Sequence, residues 1–177
     1  MKDVMLDLET WGKGPGCAIR SIGAAFFNPR TGEVGKTFYQ NIDQVSCEQA
    51  GLHIDPETAL WWEKQSQASK DALEANPMSL LFAMAEFDEF WKEYGGERVW
   101  CQGAAFDAPI WEAAAKALNR TVPWKYWNVR CTRTAYDILG IWPKEIARTG
   151  THHNALDDCL HQIKCLDAGF TKGVGGI

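Results

Sequence analysis

Three short stretches of this chain carry side chains whose type and spacing could do chemistry. The first is Asp7-Leu8-Glu9. In a strand, side chains two apart share one face, so Asp7 and Glu9 point the same way and Leu6 and Leu8 the other. Two carboxylates at the end of an apolar strand repel each other and lose hydration. A divalent cation relieves both penalties. The bland alternative is a frayed, solvated strand end. The second stretch is Phe106-Asp107, directly after the apolar run VWCQG. An acid at a strand-to-helix junction lies at the carboxyl edge of a sheet, where α/β sites gather. The alternative is a charge that complements a helix dipole, worth about 0.3–1 kcal/mol. The third is His153-Asn154-Ala155-Leu156-Asp157-Asp158. Here Asn154 is a natural N-cap, with Asp157 three residues later in the manner of a capping box. Asp157 and Asp158 fall on opposite flanks of the helix's expected apolar face (Leu156, Leu160, Ile163, Phe170), so helical phase does not choose between them. His153, just outside the helix, is free to move with the loop before it.

The elements that must position these groups follow from periodicity and punctuation. Residues 3–8, 19–27 and 34–41 read as three strands of an antiparallel meander, with NPRTGE as the turn between the last two. Asp55-Pro56 predicts an N-cap and first helical residue, and Ser66 or Ser69 caps a further short helix. Residues 78–94 show helical spacing through Leu80, Leu81, Met84, Phe87, Trp91 and Tyr94, ended by Gly95-Gly96. A short strand at 99–103 precedes a helix over 106–118. Residues 119–130 read as a loop and 131–139 as a helix stopped by Gly140. Residues 143–153 read as a mobile loop before a last helix over 154–170. Strands first, then helices around a late strand, predict a mixed α/β sheet flanked by helices. The expected organisation is one domain over 1–170 with a Gly-rich flexible tail at 171–177.

Bulk properties narrow the function classes. With 46% hydrophobic and 23% charged residues the chain is globular rather than disordered. The opening VMLDLET is charged and too short for a signal or a span, so the expected location is the cytoplasm, with no membrane partner. The six cysteines form no CxxC pair and no zinc spacing, and are expected as free thiols. A net charge of −5 argues against a passive nucleic-acid binder, but not against an enzyme whose carboxylates are neutralised by bound cations. Most of the nine tryptophans are expected in packing, leaving one or two free to stack on bases.

Taken together, DLET, QGAAFDAPI and HNALDDC resemble the DEDDh exonucleases, the DnaQ-like and RNase T-like group on the RNase H-like fold. The family pattern of D-x-E, a later Asp, and H-x4-D maps onto Asp7 and Glu9, Asp107, and His153 with Asp158. His152 with Asp157 fits the same spacing, whereas the HxALxD form favours His153 and Asp158. DLETWGKGPGCAIRSIGAAFFNP and TALWWEKQS look like the phage-type subfamily, over about residues 3–168. The resemblance implies an RNase H-like mixed sheet, a three-strand meander plus later parallel strands. It implies 3′-to-5′ removal of nucleotides from single-stranded DNA or RNA with a free 3′ end, acting in the cytoplasm of a phage-infected or prophage-bearing cell, and it allows a homodimer. The implied cofactors are two divalent cations, Mg²⁺ or Mn²⁺, with Asp7 bridging both, Glu9 and Asp158 completing one site, Asp107 acting through waters, and His153 as general base. Substrate contacts are expected from Thr10, Trp11 and Phe106 near the terminal nucleotide, and from Arg130 and Arg148 at phosphates, with Lys125, Arg133 and Lys144 as further cations. The alternative is a non-catalytic module on a nuclease-like fold that only binds nucleic acid or protein.

Overall fold

The computed structural model describes residues 1–174. Five strands form one sheet: β1 (Asp3–Thr10), β2 (Ile19–Phe27), β3 (Val34–Asn41), β4 (Arg98–Cys101) and β5 (Val129–Cys131). Their spatial order is β3-β2-β1-β4-β5. β1, β2 and β3 pair antiparallel, as the alternation predicts, whereas β4 joins β1 and β5 joins β4 in parallel. Parallel pairing of β1 with β4 brings the carboxyl ends of both strands to one edge of the sheet. β5 lies inside what reads in sequence as the end of a loop; three residues are too few to show a period.

Among the described residues there are seven α-helices: α1 (Gln44–Gln49), α2 (Pro56–Glu63), α3 (Gln67–Glu74), α4 (Leu80–Glu93), α5 (Asp107–Ala117), α6 (Thr132–Leu139) and α7 (Ala155–Val174). α2 starts as its sequence dictates, with the Asp55 side chain accepting from the Glu57 N–H and Pro56 in the first turn. Ser66 caps α3 by accepting from the Ser69 N–H. α6 ends at Gly140, whose φ of 63° lies in the left-handed region that glycine adopts without a Cβ penalty. α1 carries no periodic signal over its six residues and rests on Asp43, which accepts from the Ser46 N–H. The segment expected as a loop over 143–153 contains a short 3-10 turn, Pro143–Glu145. α7 runs four residues past Phe170 into the expected tail; the rest of that tail, residues 175–177, lies outside the described residues.

The sheet has a core on each side. Val4, Leu6, Leu8, Ile22, Ala24 and Phe26 pack against α4 and α5, while Met5, Ala25 and Phe27 pack against α6 and α7. Two helices sit slightly rotated from expectation. In α4, Ala83 and Phe90 are buried and Leu81 and Tyr94 exposed. In α7 Ala155, Cys159, Ile163, Cys165 and Leu166 are fully buried, and Leu156 and Leu160 only half-buried. Small side chains win that face because α7 presses its backbone onto β2. A Cβ on Gly23 would lie 2.2 Å from the Ala155 carbonyl carbon, and the Cys159 thiol meets the Gly23 carbonyl at 3.3 Å. All six cysteines are free thiols, five of them buried. No helix among the described residues is long and apolar enough to cross a membrane.

Candidate active site

Because β1 and β4 run parallel, Asp7 and Glu9 near the end of β1 face the same sheet edge as Asp107, which opens α5 just beyond β4. The Leu8 N–H donates to Asp107 Oδ1 at 3.1 Å and ties the two strand ends together. The tight seating of α7 on Gly23, which pairs with Asp7 in the sheet, brings the first turn of α7 over the same spot. One carboxylate oxygen each from Asp7, Glu9 and Asp158 lie within 4.8 Å of one another. Gln162, one helical turn after Asp158, donates to Asp7 Oδ1 at 2.7 Å.

Four acids in this space are electrostatically unfavourable without compensation. Glu9 and Asp107 are buried, and Asp7 is half-buried but ringed by protein. Burial holds the Asp7 carboxyl well above its ordinary value, with the charges of Asp107, Asp158 and Glu9 adding to the shift. Glu9 is pushed to about 8 by burial and then by Asp158, and Asp107 to about 7 by burial, opposed by the Leu8 amide. The donor set is all oxygen and unusually hard to ionise by itself, which fits Mg²⁺ or Mn²⁺ better than zinc. Among the described residues, Arg148 pairs directly with one of these acids, Asp158.

The structure separates the two H-x4-D registers. Asp158 joins the cluster. Asp157 turns away and accepts the Thr151 N–H at 2.7 Å, while the Asn154 side chain accepts from the Leu156 and Asp157 N–H groups. The cap is therefore Asn154, and Asp157 reaches past it to the loop rather than closing a capping box on Asn154 itself. His153 has a φ of 61°, a left-handed conformation uncommon outside glycine. Its ring meets Trp61 edge-on at 4.9 Å and Trp62 at 5.8 Å between centroids. Burial lowers its pKa, partly offset by Asp158.

Beside the carboxylates a cavity of about 560 Å³ is lined by Leu8, Glu9, Thr10, Trp61, Trp62 and Phe106, among others. Of the expected terminal-nucleotide contacts, Thr10 and Phe106 line it. The Thr10 hydroxyl donates to the Gly12 carbonyl at 2.7 Å. Trp11 does not face the cavity but covers Arg20. The Arg130 guanidinium is held by the carbonyls of Trp127 and Val129, away from the acids.

Arg20, Gln162 and Trp62 escaped the sequence reading. The β1–β2 register skips Arg20, since Glu9 faces Ser21 and Thr10 faces Ile19. This bulge brings the side chain toward Glu9 instead of the apolar core. It is 5% exposed, its guanidinium sandwiched 4.4 Å from the Trp11 ring and 4.5 Å from the Trp62 ring. Its Nη1 has no hydrogen-bond partner among the described residues. The signal was two adjacent polar residues, Arg20-Ser21, inside an otherwise apolar strand.

Comparison with known proteins agrees with this geometry. The chain is 24% identical to an exodeoxyribonuclease of Enterobacteria phage T4 over 213 aligned positions, covering 99% of this chain and 92% of that protein. Its fold matches the nuclease domain of 3′hExo, a DEDDh family member solved bound to rAMP, with a TM-score of 0.66 at 9% identity over 97% of this chain and 92% of that one. It also matches S. pombe Pop2p in its Mg²⁺- and Mn²⁺-bound form, with a TM-score of 0.54 at 17% identity over 94% and 81% of the two chains. Residues 2–170 match the model of the 3′-5′ exoribonuclease Rv2179c-like domain. The protein thus belongs to the 3′-5′ exoribonuclease Rv2179c-like family, exonucleases of the DEDDh type on an RNase H-like fold.

Proposed function

We propose that this exonuclease removes nucleoside 5′-monophosphates from the 3′ end of single-stranded DNA or RNA, using two divalent cations and His153 as general base. The observation that carries the reading is the convergence of the Asp7, Glu9 and Asp158 oxygens within 4.8 Å, beside Asp107 and a cavity sized for a nucleoside. Asp7, Glu9 and Asp158, with Asp107 beside them, would hold the cations, Mg²⁺ or Mn²⁺. Gln162 and the Leu8 amide fix Asp7 and Asp107 in place. Cations held there would neutralise the phosphate and lower the pKa of the attacking water. His153 accepts that water's proton on an imidazole nitrogen as the water oxygen bonds to phosphorus. The P–O3′ bond breaks, and its electron pair leaves with the 3′ oxygen of the shortened strand. Phe106, Trp61 and Trp62 exclude water around the terminal nucleoside. The catalytic unit is the single domain over residues 1–170, working in the cytoplasm.

The test is hydrolysis of 5′-labelled single strands of DNA and RNA by wild type and Asp7→Asn, with Mg²⁺, Mn²⁺ or chelator. A ladder shortening from the 3′ end, dependent on metal and lost in Asp7→Asn, is expected, and the preferred sugar is read from the same gel. Binding of the strands without cleavage under any metal would replace this reading with a binding module.

A further inference from the structure

Two cavities adjoin the carboxylate cluster. Glu9 lines the aromatic cavity described above. α6, the segment through the Pro143–Glu145 turn, and α7 enclose a second, larger cleft of about 910 Å³. Two arginines of its wall connect this cleft to the acids. Arg148, in its wall, pairs with Asp158. Arg133, also in its wall, lies close enough to Asp107 for its charge to act on that carboxyl, and its Nη1 comes within 3.4 Å of where a Gly103 Cβ would stand. Lys144, His152 and His161 add three more basic groups, while Asp137 is the one carboxylate lining the cleft among the described residues. For a chain of net charge −5 this is a local reversal of sign. At its rim Trp142 is 72% exposed, a large ring left in water with no packing role that accounts for it.

We propose that this cleft binds the strand upstream of the bond being cut, with Lys144 and Arg133 against its phosphates and Trp142 stacked on a base. The proposal rests on the exonuclease reading. A strand with its scissile phosphate at the carboxylates and its terminal nucleoside in the aromatic cavity needs a second channel beside the acids for the remaining chain, and the cleft walled by Arg133 and Arg148 is the cavity that adjoins them there. Cations that track a backbone, with an aromatic ring beside them, are the chemistry that holds single strands without reading sequence. Arg148 joins the two functions. A cation held at Asp158 would compete for the carboxylate that Arg148 pairs with, and a guanidinium released from it would still lie in the wall of the cleft.

The test compares kcat/KM for octathymidylate and for dithymidylate in wild type, Trp142→Ala and Lys144→Ala. Both side chains are exposed, so neither substitution endangers folding. The ratio of the long to the short substrate is expected to fall about tenfold in Trp142→Ala, through KM, in line with the loss of one stacked base. Binding of 5′-labelled octathymidylate in chelator, followed by fluorescence anisotropy, should lose about 0.7 of its log–log salt slope in Lys144→Ala, as for one phosphate contact on a single strand. An unchanged ratio and an unchanged slope in both variants overturn the proposal. If wild type cleaves neither substrate, the exonuclease reading fails on its own and the anisotropy arm decides the cleft: weaker binding in the variants keeps it as a strand-binding surface, and equal binding removes it.

Discussion

In the proposed role of general base, His153 has surroundings that suit it to work below its ordinary range. Burial against Trp61 and Trp62 disfavours the imidazolium, so the neutral, proton-accepting form persists to lower pH than for a free histidine at about 6.5. At saturating Mg²⁺, the acid limb of the kcat profile is expected below about 6.5. His153→Ala should lower kcat by about 10²–10⁴ and flatten that limb. A variant with full rate and an unchanged profile would remove His153 from the proton transfer. Arg20 makes a different kind of demand. Its guanidinium fills the gap between Trp11 and Trp62, of which Trp62 lines the cavity, and each desolvated cation–π contact of this kind contributes up to about 2 kcal/mol. Arg20→Met should lower the unfolding free energy by about 2 kcal/mol or more, read by urea denaturation at constant m. A loss within experimental error would mean that the buried charge costs as much as its stacking returns.

Which elements were legible depends on how long and how regular they are. The meander and α2, α4 and α5 announce themselves through alternation, caps and apolar spacing. By contrast α1 and β5 are too short for any period: α1 rests on its Asp43 cap and β5 on its pairing with β4. The acids at positions 7, 9 and 107 could be read as one site because two strand ends carry them. That Asp158 rather than Asp157 joins the cluster could not be read from helical phase, because the face α7 presses on the sheet is turned from Leu156 and Leu160 toward Ala155 and Cys159. That face is set by Gly23 in another strand. A glycine opposite Asp7 lets Ala155 and Cys159 close onto the sheet, and this closeness carries Asp158 into reach. Gly23→Ala tests the dependence. Its methyl would overlap backbone atoms that cannot rotate away, so α7 must lift. The expected loss is about 1–3 kcal/mol of stability together with weaker Mg²⁺ binding measured by calorimetry. A variant that lost stability but kept the Mg²⁺ affinity of wild type would show that α7 does not need this contact to place Asp158.

At the scale of the molecule, the carboxylate cluster makes stability a function of both pH and metal. Asp7, Glu9 and Asp107 all have folded-state pKa values above their ordinary ones, because burial and mutual repulsion disfavour the ionised forms. The metal-free folded protein therefore holds protons that the unfolded chain has released. For such groups the stabilising contribution is complete below the ordinary carboxylate value of about 4 and is lost as pH rises through the raised ones. Those are about 7 for Asp107 and about 8 for Glu9. In chelator the thermal midpoint is thus expected to fall steadily from mildly acidic to mildly alkaline pH. Asp7→Asn, which removes one of the repelling charges, should raise the midpoint in chelator at the alkaline end. With Mg²⁺ the order reverses. The cation binds the ionised cluster of the folded chain only, and at about a hundredfold excess over its Kd one site adds about 2.7 kcal/mol. The gap between Mg²⁺ and chelator should therefore widen with pH in wild type and shrink sharply in Asp7→Asn. A chelated wild type that gained stability across this window would mean that the acids are not held together as the fold holds them here, and the metal site built on them would fall with that result.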